Sequence, residues 1–401
     1  MQAVILAAGE GSRMRPLTFT HSKVMLPVAN RPLMEYLFEE IIQAGIKDFI
    51  FIVGYRSEQV CAYFGDGSRW GVNITYRRQA VPQGTGDAVL MAAGLVDGPF
   101  MVFNGDIIAE SADIKTLVGQ RGTVIGVKEI EDTHGLGTVE IDANSRVLHL
   151  HEKLDSPPTR LANTGVYLFT PRIFDAIQRT PKSCRGEYEL PQAIQLLVDS
   201  GEAVISQVFD SWADVSYPWD LLGFNERRLN SLPAQNMGII EENVVIRGNC
   251  SIGEGSRIRS GSYIVGPVMI GSGCDIGPNC YIRPFTSIGN NCHIGAAVEV
   301  KNCIIMNGSK LPHHNYAGDS IVGEGCNLGA GTKIANLRFD GAEVTVAGVN
   351  THRRKFGAVL GDNVNTGINV SINTGTLVGN GVCAGPGTLL HGVIAPGSFI
   401  I

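Results

Sequence analysis

An aliphatic residue or Met recurs at every sixth position from Ile240 to Met306 without a slip: Ile240, Ile246, Ile252, Ile258, Ile264, Ile270, Ile276, Ile282, Ile288, Ile294, Val300 and Met306. An α-helix repeats its face about every 3.6 residues and a strand about every two, so neither carries this period. A strict period of six with Gly at the following position (Gly253, Gly271, Gly277, Gly289, Gly295) is the pattern of a parallel β-helix whose coil has three short flat sides. Twelve hexapeptides make four coils, and residues 18 apart lie one above the other at about 4.8 Å, the spacing of neighbouring strands.

That stacking places Arg283 and Lys301 on one edge, each directly after an inward aliphatic. Two stacked cations repel, and a shared anion such as a phosphate relieves the repulsion while using both donors. Two splayed, solvated side chains are the alternative. The phase is lost after Met306 and resumes at Val322, Leu328 and Ile334, which predicts an inserted loop carrying Lys310, His313, His314, Tyr316 and Asp319. A second interruption, from about residue 335 to 357, carries Asn336, Arg338, Asp340 and the cluster Arg353-Arg354-Lys355 before the period returns at Leu360, Thr366 and Ile372. Loops projecting from a rigid coil are where such scaffolds place chemistry.

The 401 residues, 44% of them hydrophobic, suffice for two cores. The expected division is an α/β domain over 1–232 and the β-helix over 233–401, with a helix from about Pro218 to Leu232 bridging them. Net charge −6 argues against general nucleic-acid or membrane-surface binding, so anionic substrates need locally placed Arg and Lys. The start, MQAVILAAGEG, has no basic n-region, and no 18-residue apolar span occurs; a cytoplasmic protein is expected. The nine cysteines show no C-x-x-C or zinc spacing, and five of them (Cys250, Cys274, Cys280, Cys292, Cys326), each at the fifth place of a hexapeptide, read as packing residues of the coil.

Residues 1 to about 100 alternate strand-like and helix-like patterns, as in a Rossmann-like, doubly wound α/β domain with a parallel sheet. Ligands bind such sheets where strands give way to helices. The first turn, Leu6-Ala7-Ala8-Gly9-Glu10-Gly11-Ser12-Arg13-Met14-Arg15-Pro16-Leu17-Thr18, combines glycines that admit phosphates with two arginines. A dinucleotide fold competes, but Met14 stands where the third fingerprint glycine belongs.

This turn resembles the motif L-A-[AG]-G-x-G-[ST]-R-[LM]-x-P-L-T of the nucleotidyltransferases that make sugar nucleotides, and the match continues through Ser22-Lys23-Val24-Met25-Leu26-Pro27. The resemblance implies that Leu6, Ala8, Gly9 and Gly11 bind nucleotide, that Arg13 meets the leaving pyrophosphate and that Lys23 neutralises developing charge. Gln79 through Ala88 (QAVPQGTGDA) resembles the family's base-recognition loop, which adds Gln79, Gln83, Gly84 and Thr85; a glutamine amide suits the edge of uracil or thymine. Asp106 in FNGD and Asp214 in WADV fall on the family's Mg²⁺ ligands, with Ser216 where relatives carry Gly. Gly137, Glu152 (followed by Lys153) and Asn163 fall on the segments that grip the sugar.

The C-terminal half resembles the acetyltransferase domain of the bifunctional enzymes that make UDP-N-acetylglucosamine, which implies a left-handed β-helix and a homotrimer. Arg283 and Lys301 match the residues on the sugar 1-phosphate. Lys310-x-x-His313-x-x-Tyr316-x-Gly318-Asp319 matches the segment of the catalytic base, His313, with Tyr316 at the substrate, and Asn327 and Asn336 match substrate-positioning asparagines. The loop with Arg353, Arg354 and Lys355 is expected to meet the phosphates of coenzyme A. The implied function is acetyl transfer from acetyl-CoA to glucosamine 1-phosphate, then uridylyl transfer from UTP to N-acetylglucosamine 1-phosphate. The rival reading is a monofunctional nucleotidyltransferase using UTP or dTTP, with a structural or effector-binding β-helix. The implied partners are small molecules only.

Overall fold

The apolar runs of the N-terminal half form one nine-stranded sheet. Gln2–Ala7 lies between Asp48–Val53 and Phe100–Asn104, all parallel, and Asn73–Arg78 adds a fourth parallel strand. Strands buried on both faces need continuous apolar side chains, and DFIFIV and FMVFN supply them. Beyond Phe100–Asn104 the sheet turns antiparallel: Leu161–Phe169 pairs it and also carries Thr123–Glu129 and Thr138–Ile141. The helices Leu33–Gln43, Ser57–Phe64 and Thr85–Leu90 alternate with the parallel strands as their sequence patterns predict.

The computed structural model describes residues 1–152, 154 and 156–401; Lys153 and Asp155 lie outside the described residues. The chain folds into two compact units. The first comprises Met1–Glu10, Ser22–Met25 and Leu33–Val215, the second Gly11–His21, Leu26–Pro32 and Ser216–Ile401. The helix Pro218–Asn230 belongs to the second unit. There Trp219 meets Phe356 edge-on at 5.9 Å, and the Asn225 side chain accepts from the Ala29 amide at 2.8 Å and donates to the Phe285 carbonyl at 3.0 Å. Asp220 caps it by accepting from the Ser216 and Tyr217 amides.

The second unit is a left-handed parallel β-helix with sheets of nine, nine and eight strands. Register runs at 18 residues, as in Ile252↔Ile270↔Ile288 and Ile264↔Ile282↔Val300, and the inward aliphatics form one continuous core. Glycine after the inward residue is required by stacking: a Cβ on Gly253 would sit 2.6 Å from the Gly271 carbonyl carbon.

The expected loop after Met306 does not exist. Ile288 pairs with Ile305, and then Ile294 with Leu311, Val300 with Ala317 and Ile305 with Val322, so these coils are 17 residues long instead of 18. Two corners have each lost one residue. At an ordinary corner Phe285 holds the left-handed conformation (φ 65°) two residues after Arg283; at the short ones Asn302 and Asp319 (both φ 49°) hold it one residue after Lys301 and Gly318. Lys310–His313 and Tyr316–Gly318 are therefore rungs of the coil. The second interruption is a true insertion: Ile334 pairs with Ile372, 38 residues on, and the excess carries the hairpin Thr345–Val346/Val349–Asn350. Among the described residues no helix is long and apolar enough to cross a membrane.

Candidate active sites

In the first unit the Gly105 amide donates to the Leu6 carbonyl at 2.9 Å, tying the turn before Asp106 to the first strand. Gly54 packs against Ala8 so closely that a Cβ there would meet the Ala8 oxygen at 2.7 Å. Trp212–Asp214 pairs antiparallel with Ile107–Ala109, placing Asp214 opposite Ile107, and the Val215 amide donates to the Asp106 carbonyl at 3.3 Å. Two carboxylates thus leave adjacent strand ends. The Asp106 carboxylate holds the ammonium of Lys23, itself buried. Asp106, shared with Lys23, and Asp214 are hard oxygen donors of the kind that can hold a divalent cation.

Gln79 is buried at the end of its strand, and its amide nitrogen donates to Asp87 at 2.7 Å and to the Gly84 carbonyl at 3.3 Å. It borders a cavity of 260 Å³ whose walls include Glu10, Tyr55, Arg56 and Arg78. The 181–189 segment, which the sequence did not mark, clamps this loop. Tyr188 exchanges backbone bonds with Gln83 and Gly86 at 2.7 Å each, Lys182 donates to the Gln83 side chain at 3.1 Å, and Thr85 Oγ accepts from the Leu190 amide at 3.1 Å. Gly84 (φ +102°) admits no Cβ, which would sit 2.6 Å from the Tyr188 oxygen.

The expected sugar residues converge. A Cβ on Gly137 would lie 3.6 Å from Glu152 Oε2 and 3.8 Å from Asn163 Cβ, and the Asn163 amide donates to the Gly137 carbonyl at 2.9 Å. Asn163 is oriented by Tyr167 and the Gly165 amide. Arg185 bridges Glu152 (3.0 Å) and buried Glu189 (2.7 Å). Burial disfavours the Arg185 charge, but Glu189 and then Glu152 outweigh it, so its pKa is raised.

Gly11 and Arg13 belong to the second unit. Arg13 is exposed, its guanidinium 5.4 Å from the Tyr217 ring centroid, and Tyr217 stacks on Trp219 at 4.7 Å. Downstream of it, Thr20 Oγ donates to Asp362 at 2.6 Å, His21 Nε2 lies 2.9 Å from the same oxygen, Asn380 donates to Thr20 at 3.0 Å, and the Glu324 amide donates to Asp362 Oδ1 at 2.8 Å.

On the coil, the corner with the two shortened sides gathers most of the expected acetyltransferase residues. Arg283 and Lys301 do stack, but each has its own carboxylate: Arg283 pairs with Glu299 at 2.8 Å, which raises the Arg283 pKa, and Lys301 with Asp319 at 3.0 Å. The repulsion expected of the stacked pair is therefore answered within the chain. Asn336 donates to Asp319 at 2.5 Å. Gly318 opens the notch in which Tyr316 and Asn336 meet: a Cβ there would lie 2.5 Å from both the Tyr316 hydroxyl and Asn336 Nδ2. Burial, then Asp319 and Glu299, raises the Tyr316 pKa, so the phenol keeps its proton as a donor. His313 is exposed at the preceding corner, where buried Asn315 accepts from its amide at 3.1 Å and donates to the Gly329 carbonyl at 2.8 Å. Asn327 stands apart, exposed in the outward column of Lys310 and Asn365. Of the basic cluster on the insertion, Arg353 pairs with Glu226 at 2.6 Å and Arg354 donates to the Gly341 carbonyl.

Comparison with known proteins matches residues 2–231 to the nucleotidyl transferase family and residues 264–379 to a domain described as the GMPPB C-terminal domain. The bifunctional protein GlmU of Methanocaldococcus jannaschii is 39% identical over 404 residues, covering all of this chain and 97% of that protein. A bifunctional sugar-1-phosphate nucleotidylyltransferase/acetyltransferase of Sulfurisphaera tokodaii is 38% identical over 408 residues, covering all of this chain and 99% of that protein. Among solved structures, a UDP-glucose pyrophosphorylase complexed with UDP-glucose aligns with 58% of this chain and 99% of that one at TM-score 0.53 and 21% identity, a likeness of fold.

Proposed function

Because the chain belongs to the nucleotidyl transferase family, in its bifunctional sugar-1-phosphate nucleotidylyltransferase/acetyltransferase branch, we propose that it makes UDP-N-acetylglucosamine in two steps. In the first, the 2-amino group of glucosamine 1-phosphate attacks the thioester carbonyl of acetyl-CoA; the new C–N bond replaces the C–S bond, and coenzyme A leaves. His313 accepts the proton of the attacking nitrogen. Arg283 and Lys301 bind the 1-phosphate, Tyr316 donates to it, and Asn327 and Asn336 position the sugar.

In the second step the 1-phosphate oxygen of N-acetylglucosamine 1-phosphate attacks the α-phosphorus of UTP in line, and pyrophosphate leaves. Gln79 offers its carbonyl oxygen to the base, Gln83, Gly84 and Thr85 frame it, and Leu6, Ala8, Gly9 and Gly11 admit the phosphates. Gly137, Glu152 and Asn163 hold the sugar, Arg13 meets the pyrophosphate, and Lys23 stands by the reacting phosphates. Asp106 and Asp214 would hold Mg²⁺, which when bound supplies charge neutralisation between the two phosphates. The enzyme acts in the cytoplasm as a homotrimer.

The observation that carries the acetyltransferase half is the convergence of Arg283, Lys301, Tyr316 and Asn336 on one corner of the coil. Release of coenzyme A thiol from acetyl-CoA with glucosamine 1-phosphate tests it. His313→Ala should abolish that release and leave pyrophosphate release from UTP intact. No thiol release by the unaltered chain, beside normal pyrophosphate release, would leave a monofunctional nucleotidyltransferase.

A further inference from the structure

Asp319 has no assigned role in either reaction, yet the chain engages its carboxylate from two other turns of the coil. Its side chain is buried, and both oxygens are used: Oδ1 accepts from Lys301 Nζ at 3.2 Å and from Asn302 Nδ2 at 2.9 Å, Oδ2 from Lys301 Nζ at 3.0 Å and from Asn336 Nδ2 at 2.5 Å. Its backbone is equally fixed, with the amide donating to the Lys301 carbonyl at 2.8 Å and the carbonyl accepting from Gly357 at 2.9 Å.

A buried charge costs free energy unless paired and hydrogen-bonded, so this arrangement persists only because four donor contacts satisfy it. The donors come from different turns of the coil. Lys301 and Asn302 lie on the turn before Asp319, Asn336 on the turn after, and the left-handed corners at Asn302 and Asp319 bring them into line. Arg283 and Glu299 differ, since both are about one-third exposed and their pair can open to solvent.

We propose that Asp319 is the positioning residue of the acetyltransferase site: one carboxylate that holds the Lys301 ammonium and the Asn336 amide at fixed points for the sugar 1-phosphate. This rests on the reading of that corner given above. Both Asp319 carboxylate oxygens are already engaged by donors of the chain, so its role runs through Lys301 and Asn336. Its pairing leaves Lys301 a fixed donor with little net charge, and Arg283 becomes the cation that swings from Glu299 to the phosphate.

The experiment is steady-state acetyl transfer by the full chain with glucosamine 1-phosphate and acetyl-CoA varied separately, for Asp319→Asn, Lys301→Met and the double variant, with uridylyl transfer as the folding control. Asp319→Asn should raise the KM for glucosamine 1-phosphate by roughly tenfold or more, the loss expected when a hydrogen bond to a charged group is removed. The KM for acetyl-CoA should stay within about twofold, and the double variant should fall short of the product of the two single effects, because the Lys301 share of the Asp319 effect is already lost in Lys301→Met while the Asn336 share remains. An unchanged KM for the sugar phosphate, a parallel rise for both substrates, or multiplying effects of the two substitutions would overturn the proposal. If Asp319→Asn does not accumulate, Asp319→Ser, which leaves room for water beside Lys301, takes its place under the same criteria. His313→Ala in parallel separates the failures: acetyl transfer surviving that change sinks the site, whereas its loss beside an indifferent Asp319 variant sinks only the positioning role.

Discussion

Replacing Asp362 by Asn should loosen the segment that continues from the glycine turn, Gly11–His21, from the coil within the second unit. The Asp362 side chain is 7% exposed and His21 14%, so their contact is shielded from water. Asn keeps an oxygen for the Glu324 amide but presents an NH₂ to Thr20 and His21, where the carboxylate accepted at 2.6 Å and met His21 at 2.9 Å. Removing one partner of a buried pair costs about 3–5 kcal/mol, and the retained oxygen offsets part of that, leaving about 3 kcal/mol. At about 1.4 kcal/mol per decade, opening of residues 16–22 should become roughly 100-fold more frequent. Amide hydrogen exchange of that segment, corrected for intrinsic rates, reads it directly. The pH dependence has a definite sign. Burial pushes the Asp362 carboxyl up, but His21 and Thr20 outweigh burial and hold it below its ordinary 3.8. A depressed carboxylate contributes stability that is present above the unfolded value and lost as pH falls through the folded one. Protection in the unaltered chain should therefore hold at pH 6 and fall below pH 3.8, while Asp362→Asn shows no such step. Exchange within about threefold of the unaltered chain, in a variant that still transfers uridylyl groups, would refute the reasoning.

Arg185→Met should release Glu152 and raise the KM for N-acetylglucosamine 1-phosphate in uridylyl transfer about tenfold, with acetyl transfer unchanged, since the lost bonds are charge-assisted. Asp106→Asn should cut pyrophosphate release from UTP by about 100-fold or more at saturating Mg²⁺ while sparing thiol release from acetyl-CoA; a wild-type rate would remove Asp106 from the site. Gly271→Ala should lower the melting temperature of the coil by several degrees in calorimetry, because the added Cβ meets the Gly289 backbone at 2.7 Å and the two turns must separate; an unshifted transition would mean that the stack yields freely.

The coil was legible because its signal is arithmetic: six residues per side leave the inward positions readable without any contact being known. Likewise Gly137, Glu152 and Asn163, expected at the sugar, came from ordered motifs, and Glu152 and Asn163 do both lie against Gly137. What the sequence hid was partnership. Glu299, 16 residues after Arg283, carries no periodic mark that it answers the Arg283 charge; Asp319 does lie at the stacking interval of 18 from Lys301, but beyond the point where the count fails, so the interval alone does not place it there. The clamp from Lys182, Arg185 and Tyr188 was hidden for the same reason, its grip on Gln83 and Gly86 being largely backbone to backbone. The slip after Met306 was seen but misread, since losing one residue twice and gaining a loop shift the phase alike; only register separates them.

The slip itself explains why chemistry would gather there. A coil of identical turns presents identical corners, and a ligand needs one unlike the rest. Three successive turns depart at a single corner. The turn with Lys301 and the turn with Asp319 each lose a residue, and the next, after Asn336, takes in the insertion. Shortening draws the left-handed residue one place nearer the strand than at Phe285, and the two residues in that place, Asn302 and Asp319, bond one another from successive turns. The insertion leaves Asn336 at the start of an excursion instead of a rung, free to bond Asp319. In a periodic fold, then, the places where the count fails are the first to search. Restoring the count tests the idea: inserting one residue after Asn302 should regularise the corner, leave the coil folded and uridylyl transfer intact, and abolish acetyl transfer; retained acetyl transfer would show that the shortened corner is packing alone.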